Sequence, residues 1–235
     1  MPNTFFRFRE FTIHQDKSVM KVCTDACILG AWSARRIRNE KKILDIGAGT
    51  GLLSLMLAQK TEALIDAIEI DPESAAQARG NITHSPWSDR VRLTEGDIRN
   101  CLLPGDYDFI ISNPPFYESD LRSPEERKNR AKHNESLRLD ELMVSIRSHL
   151  KETGSYTILL PFHRSRYFEQ LSLSNDFFLR EKLDVRQTNA HLPFRSICLF
   201  SYQKPEQVSQ KELIIKIENG KYSPEFNEMM NDYYE

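Results

Sequence analysis

Apolar residues fall into short, dense runs separated by turn-forming residues. Lys42-Ile43-Leu44-Asp45-Ile46 is a compact run ending in glycines, which predicts a short buried strand, and Leu52 to Leu57 then has the apolar spacing of a helix. Ala63 to Ile68 reads as a second strand closed by Glu69. Asp71 before Pro72 predicts an N-cap with proline at the first helical position. Val91 to Thr94 and Tyr107 to Ser112 read as third and fourth strands. Leu137 to Leu150 has helical spacing, Tyr156 to Leu160 is a fifth strand, and His163 to Leu173 another helix. Phe177 to Val185 and Arg195 to Tyr202 read as a hairpin-like pair around His191-Leu192-Pro193 that adds an antiparallel edge. Leu213 to Ile217 is a further short strand, and Tyr222 to Phe226 opens a last helix. Ahead of this core, residues 3 to 18 read as extended. Lys21 to Trp32 then holds a helix that Thr24 or Asp25 is placed to cap.

At 235 residues the chain is long enough for one α/β domain with a sizeable core. The expected division is an N-terminal extension and cap over 1–40, a ligand-binding core over 41–160, and a sheet edge on the substrate side over 161–235. No apolar run reaches membrane length and the N-terminus has no secretory pattern, so a cytoplasmic protein without a membrane contact is expected. A formal charge of −2 means that any nucleic-acid surface must be local. Cys23, Cys27, Cys101 and Cys198 have no metal-ligand spacing and read as buried reduced thiols, so no metal is expected. Neither a repeat nor a stable protein partner is evident.

The chemistry concentrates in two stretches. Asp45-Ile46-Gly47-Ala48-Gly49-Thr50-Gly51 bridges a strand and a helix, and glycines there let the backbone turn tightly with a ligand against it. A dinucleotide fingerprint would need glycine where Leu52 stands, and the loop lacks the Gly-Lys-Ser/Thr ending of a phosphate-gripping loop. Glu69 follows Gly51 by 18 residues, where an acid can accept hydrogen bonds from both ribose hydroxyls. Asp97 follows the third strand and can accept from an adenine amino group. The second stretch, Asn113-Pro114-Pro115-Phe116, sits at the carboxyl end of the fourth strand, the edge at which open α/β sheets bind ligands.

Together, Asp45 to Gly51, Glu69, Asp97 and Asn113 to Phe116 resemble the motif series of class I S-adenosylmethionine-dependent methyltransferases. That resemblance implies a Rossmann-like fold: a seven-stranded, mostly parallel sheet with helices on both faces and one antiparallel strand. It implies S-adenosylmethionine as cofactor, held by Asp45, Gly47, Gly49, Gly51, Glu69, Asp97 and Asn113, with Thr24 and Asp25 near its methionine end. In this family the Asn-Pro-Pro-Tyr/Phe loop marks methylation of a planar nitrogen. The Asn113 side-chain oxygen and the Pro114 carbonyl are suited to accept from the two N–H bonds of an amine, Pro115 stiffens the loop, and Phe116 offers a face for stacking.

Among families with this loop, the chain is most similar to small bacterial tRNA adenine-N6 methyltransferases that modify adenine 37 of a valine tRNA. That similarity runs nearly full length, including Ala131-Lys132-His133 and Tyr222-Ser223-Pro224-Glu225-Phe226. It implies tRNA as substrate partner. Arg127, Lys128, Arg130, Lys132 and His133, in the irregular segment after Phe116, are suited to its phosphates. Protein-glutamine methylation, rRNA guanine-N2 methylation and a non-catalytic RNA-binding role on the same fold are the alternative readings.

Overall fold

A computed structural model describes residues 3–17, 21–115 and 137–235. The chain opens on an antiparallel hairpin, β1 (Phe5–Arg7) and β2 (Thr12–His14), and a helix, α1 (Thr24–Ala34). Strand and helix then alternate through β3 (Lys42–Ile46), α2 (Leu52–Ala58), β4 (Leu64–Glu69), α3 (Pro72–Thr83) and β5 (Val91–Glu95). After β6 (Tyr107–Ser112) the described elements are α4 (Leu139–His149), β7 (Leu150–Pro161), α5 (Phe162–Leu173), β8 (Phe178–Arg186), β9 (Arg195–Ser201), β10 (Ser209–Ile214) and α6 (Pro224–Met230).

Strands β3 to β10 form one sheet in the order β10-β8-β9-β7-β6-β3-β4-β5. All neighbours are parallel except β9, which runs antiparallel to β7 and to β8. This is the Rossmann-like arrangement with its single antiparallel strand. From β3 the chain steps outward to β4 and β5, then returns to the other side of β3 as β6. That reversal opens a crevice beyond the carboxyl ends of β3 and β6.

The sheet corrects three sequence-based expectations. It has eight strands, not seven. The β8–β9 pair is not its edge, because β10 lies outside β8 and pairs with it in parallel. β10 also starts at Ser209 rather than at Leu213, since an edge strand pairs through its backbone and needs no apolar side chains. Ser209 to Glu212 are all exposed.

Helices cover both faces. On one, α1, α2 and α6 join the hairpin residues Phe8, Phe11 and Ile13; on the other, Leu142, Met143 and Ile146 of α4 meet Phe168 of α5. Residues 26–34 of α1 and all of α2 are buried, as expected of helices apolar all round. They pack so closely that a Cβ on Gly30 would lie 2.6 Å from the Met56 sulfur. The predicted start of α3 is present: the Ser74 amide donates to Asp71 at 2.8 Å with Pro72 in the first turn.

The expected cap of α1 is not. Cys23 takes the N-cap position with no side-chain cap bond. Asp25 lies inside the first turn, where it accepts from the Ala26 amide at 3.1 Å and pairs with Arg195 at 2.8 Å. A charged partner from β9 outweighs a local cap for that carboxylate.

Candidate active site

Strand register brings the site together. Ile46 of β3 pairs with Ser112 of β6 on one side and with Ile68 of β4 on the other, and Ile68 pairs with Thr94 of β5. The segments beginning at Gly47, Glu69, Gly96 and Asn113 therefore leave the sheet side by side, at one level of its carboxyl edge. Four motif positions far apart in the chain become one rim. Asp25 joins this rim through Arg195, which pairs with Pro161 at the carboxyl end of β7.

The glycine loop is built to leave room above it. Gly47 and Gly49 have φ of +77° and +56°, which side-chain-bearing residues rarely adopt, and a Cβ at either would meet nothing within 4 Å. Gly51, by contrast, faces Ala78 and Ile82 of α3. The Gly47 and Ala48 amides donate to the Ile68 carbonyl at 2.9 and 3.0 Å, which seats the loop on the end of β4.

Glu69 locks the loop from below. Its carboxylate is buried and accepts from the Gly49 amide at 2.7 Å and from the Asp71 amide at 2.9 Å. Its own carbonyl accepts from the Gly96 amide at 2.9 Å. One residue thus ties the glycine loop, the start of α3 and the loop carrying Asp97. Each carboxylate oxygen keeps a second lone pair for a ligand.

Asp45 is fully buried beneath the same loop. One of its oxygens accepts from the Ser54 amide at 3.1 Å and the Ser54 hydroxyl at 2.7 Å, while the other, Oδ1, has no partner. Burial pushes its carboxyl up to about 7, against the lowering effect of the Ser54 bonds. A buried carboxylate oxygen without a donor and a glycine surface with open space above it fit a cofactor carrying both a cation and a ribose.

Asp97 is found already engaged. Arg99 donates to both its oxygens, with Nη2 to Oδ2 at 2.6 Å and Nε at 2.9 Å, and the Arg99 amide donates at 2.9 Å. Those bonds hold the Asp97 carboxyl below the usual range. Arg99 also reaches Glu141 at the start of α4, at 3.3 Å. An adenine amino group at Asp97, as the sequence reading expects, would share its acceptors with a guanidinium.

Asn113 and Pro115 lie at the surface of the rim, half-buried and exposed, with Pro114 buried between them. Below them the Ser112 hydroxyl donates to the Ile46 carbonyl at 2.8 Å and fixes the end of β6 against the glycine loop. Phe116, Arg127, Lys128, Arg130, Lys132 and His133 lie outside the described residues. Thr24 is half-buried at the start of α1.

Two contributors were not anticipated. Ser54 carries Asp45; its signal was a lone hydroxyl inside the apolar run Leu52 to Ala58. Asn81 of α3, only 2 % exposed, donates to the Thr50 carbonyl and the His14 carbonyl and accepts from the His14 amide, each at 2.9 Å. It joins the N-terminal hairpin to the glycine loop, and nothing periodic in the sequence marks it.

All four cysteines are free; Cys27 and Cys198 are buried as expected, but Cys101 is half-buried and Cys23 exposed, and burial pushes the Cys27 thiol up to about 12. Among the described residues no cluster of His, Cys, Asp and Glu is arranged to hold a metal, and no described helix is long and apolar enough to cross a membrane.

A family model described as the methyltransferase small domain matches residues 29–165. A tRNA1(Val) (adenine(37)-N6)-methyltransferase from Dyadobacter fermentans is 40 % identical, over 99 % of this chain and 98 % of its own length. The protein of the same description from Bacteroides thetaiotaomicron is 35 % identical over 100 % of this chain and 98 % of its own. Among solved structures, a predicted O-methyltransferase from Agrobacterium tumefaciens superposes with a TM-score of 0.66 at 16 % identity, covering 88 % of this chain and 96 % of that one. The glycopeptide N-methyltransferase MtfA, solved with S-adenosylmethionine, superposes at 0.56 with 12 % identity, covering 77 % and 94 %.

Proposed function

The chain belongs to the methyltransferase small-domain family, among the tRNA1(Val) (adenine(37)-N6)-methyltransferases, and from that premise we propose how its own residues carry out the reaction. The reaction is transfer of a methyl group from S-adenosylmethionine to N6 of an adenine in tRNA, adenine 37 of tRNA1(Val). The observation that carries this reading is the register of Ile46 with Ser112, which sets Asn113 beside the glycine loop.

S-adenosylmethionine supplies an electrophilic methyl group on a sulfonium. Gly47 to Gly51, Glu69 and Asp97 would hold it, with Asp45 Oδ1 beneath the loop and Thr24 and Asp25 at the far side of the rim.

The nucleophile is poor, because the adenine N6 lone pair is delocalised into the ring. The Asn113 side-chain oxygen and the Pro114 carbonyl accept from its two N–H bonds and turn the amine toward pyramidal geometry. That frees the lone pair for the methyl group the cofactor would supply, and the amine proton is released to water. No strong base is required, so positioning and electrostatics supply most of the rate. Pro115 restricts the backbone so that these acceptors stay aimed. Phe116 stacks on the base. Arg127, Lys128, Arg130, Lys132 and His133 hold phosphates. An adenine in an anticodon loop is already unpaired, so presenting it costs less than flipping one from a duplex.

Methyl transfer from labelled cofactor to total tRNA, followed by mapping of the modified nucleotide, tests the reading. Label at N6 of adenine 37 in tRNA1(Val) is expected, and absence of label in tRNA overturns it.

A further inference from the structure

We propose that the exposed face of α5, His163 to Tyr167, is a second docking surface for the RNA substrate, taking backbone phosphates on Arg164 and Arg166 and an unpaired base on Tyr167. The inference rests on the methyltransferase reading above and adds a binding surface distinct from the segment after Phe116.

The position follows from register. Ser112 of β6 pairs with Ile158 of β7, and β7 runs on to Pro161 before α5 begins at Phe162. At about 3.3 Å per strand residue, α5 starts roughly 10 Å beyond the level at which Asn113 leaves the sheet. Its first turn lies near the carboxyl edge at which Asn113 leaves the sheet, and the helix then runs back along one face, with the Phe168 ring 6.5 Å from that of Tyr156.

The face is polarised by its core contacts. Ser165, Phe168 and Ser172 are buried, at helical spacing, which turns His163, Arg164, Arg166 and Tyr167 outward. Tyr167 is 50 % exposed, and the Arg164 guanidinium lies 5.4 Å over its ring. Cations and an exposed aromatic ring combined in this way match single-stranded nucleic acid, where charge tracks the backbone and a ring accepts a base of any sequence.

Neighbouring charges are satisfied within the protein. Lys182 pairs with Glu169 at 2.8 Å, Arg186 with Glu212 at 2.9 Å and Arg195 with Asp25 at 2.8 Å. Among the described residues Arg164 and Arg166 take part in no ion pair, and the first turn of α5 carries no acid. Glu169 and Glu206 line the same depression as Arg166, but neither forms an ion pair with it, so in a chain of net charge −2 both guanidiniums stay available to an anionic partner.

The test uses the full chain with Arg164→Ala/Arg166→Ala, Arg164→Lys/Arg166→Lys and Tyr167→Ala. For each, tRNA affinity is measured across a salt series, with single-turnover methyl transfer, cofactor affinity and thermal melting alongside. The double alanine variant is expected to bind tRNA roughly tenfold or more weakly, with a salt slope reduced by about 1.5. Its melting and cofactor affinity are expected to match the wild type. The lysine pair should keep the slope, and Tyr167→Ala should lose roughly tenfold in affinity with the slope unchanged. A double alanine variant with the wild-type slope and affinity overturns the surface. Wild-type protein that binds tRNA but transfers no methyl overturns the functional reading instead, while the slope comparison still decides the surface.

Discussion

Glu69 holds Gly49 directly, its carboxylate accepting the Gly49 amide at 2.7 Å while also accepting the Asp71 amide at 2.9 Å. The acid proposed to face a ribose is therefore also a strut of the glycine loop. Glu69→Ala removes acceptors from two part-buried amides as well as a proposed ligand contact. It is expected to weaken cofactor binding by about 1–3 kcal/mol and to lower the melting temperature as well. Glu69→Gln keeps an acceptor for one amide and should fall between. Unchanged affinity by calorimetry in Glu69→Ala would remove Glu69 from the site.

Asp45 predicts a pH dependence with a definite sign. Burial raises its folded-state value to about 7, above the ordinary 3.8 of the unfolded chain. Between those values the folded protein binds a proton that the unfolded chain has lost, so this contribution to stability is full below about pH 4. It declines as pH rises and is gone above about 7. Comparison with Asp45→Asn isolates it. From pH 5 to pH 8 the wild type should lose on the order of 2 kcal/mol relative to the variant, read as a shift in urea midpoint. Parallel midpoints across that range would show that Asp45 ionises normally.

Asn81 offers a test of the loop from its other side. Asn81→Ala leaves the buried Thr50 carbonyl and both part-buried His14 backbone groups without their partner. A loss of about 2–4 kcal/mol in stability is expected. Because Thr50 lies between Gly49 and Gly51, cofactor affinity should fall as well, while tRNA binding measured without cofactor should not. A variant that melts lower yet binds cofactor normally would confine Asn81 to the hairpin.

These residues also mark what was legible in the sequence. The helical start at Asp71-Pro72 could be read because capping is local, and the strands β3, β4 and β6 because strands buried in a parallel sheet are nearly continuous apolar runs. The motif acids could be placed in the chain, but their partners could not. Asp25 is claimed by Arg195, which lies 170 residues away. Asp97 is claimed by Arg99, whose side chain gives no sign in the sequence of turning back. The first part of β10, Ser209 to Glu212, escaped because its pairing is made by backbone, under polar side chains. Asn81 escaped because a single buried amide has no period.

Asn113 gives the sharpest test of the chemical step. Register places it beside the glycine loop, half-buried at the rim, with Ser112 fixing the strand end beneath it. In the proposed reaction its oxygen contributes most once the amine begins to pyramidalise, so its interaction would strengthen between ground state and transition state. Asn113→Ala should therefore lower kcat by roughly a hundredfold or more and change cofactor affinity much less. Phe116→Ala should instead weaken the productive RNA complex by about 1–3 kcal/mol through lost stacking. Single-turnover transfer at saturating enzyme, with cofactor affinity measured separately, distinguishes the two. Wild-type transfer by Asn113→Ala would show that the amine is oriented by other groups.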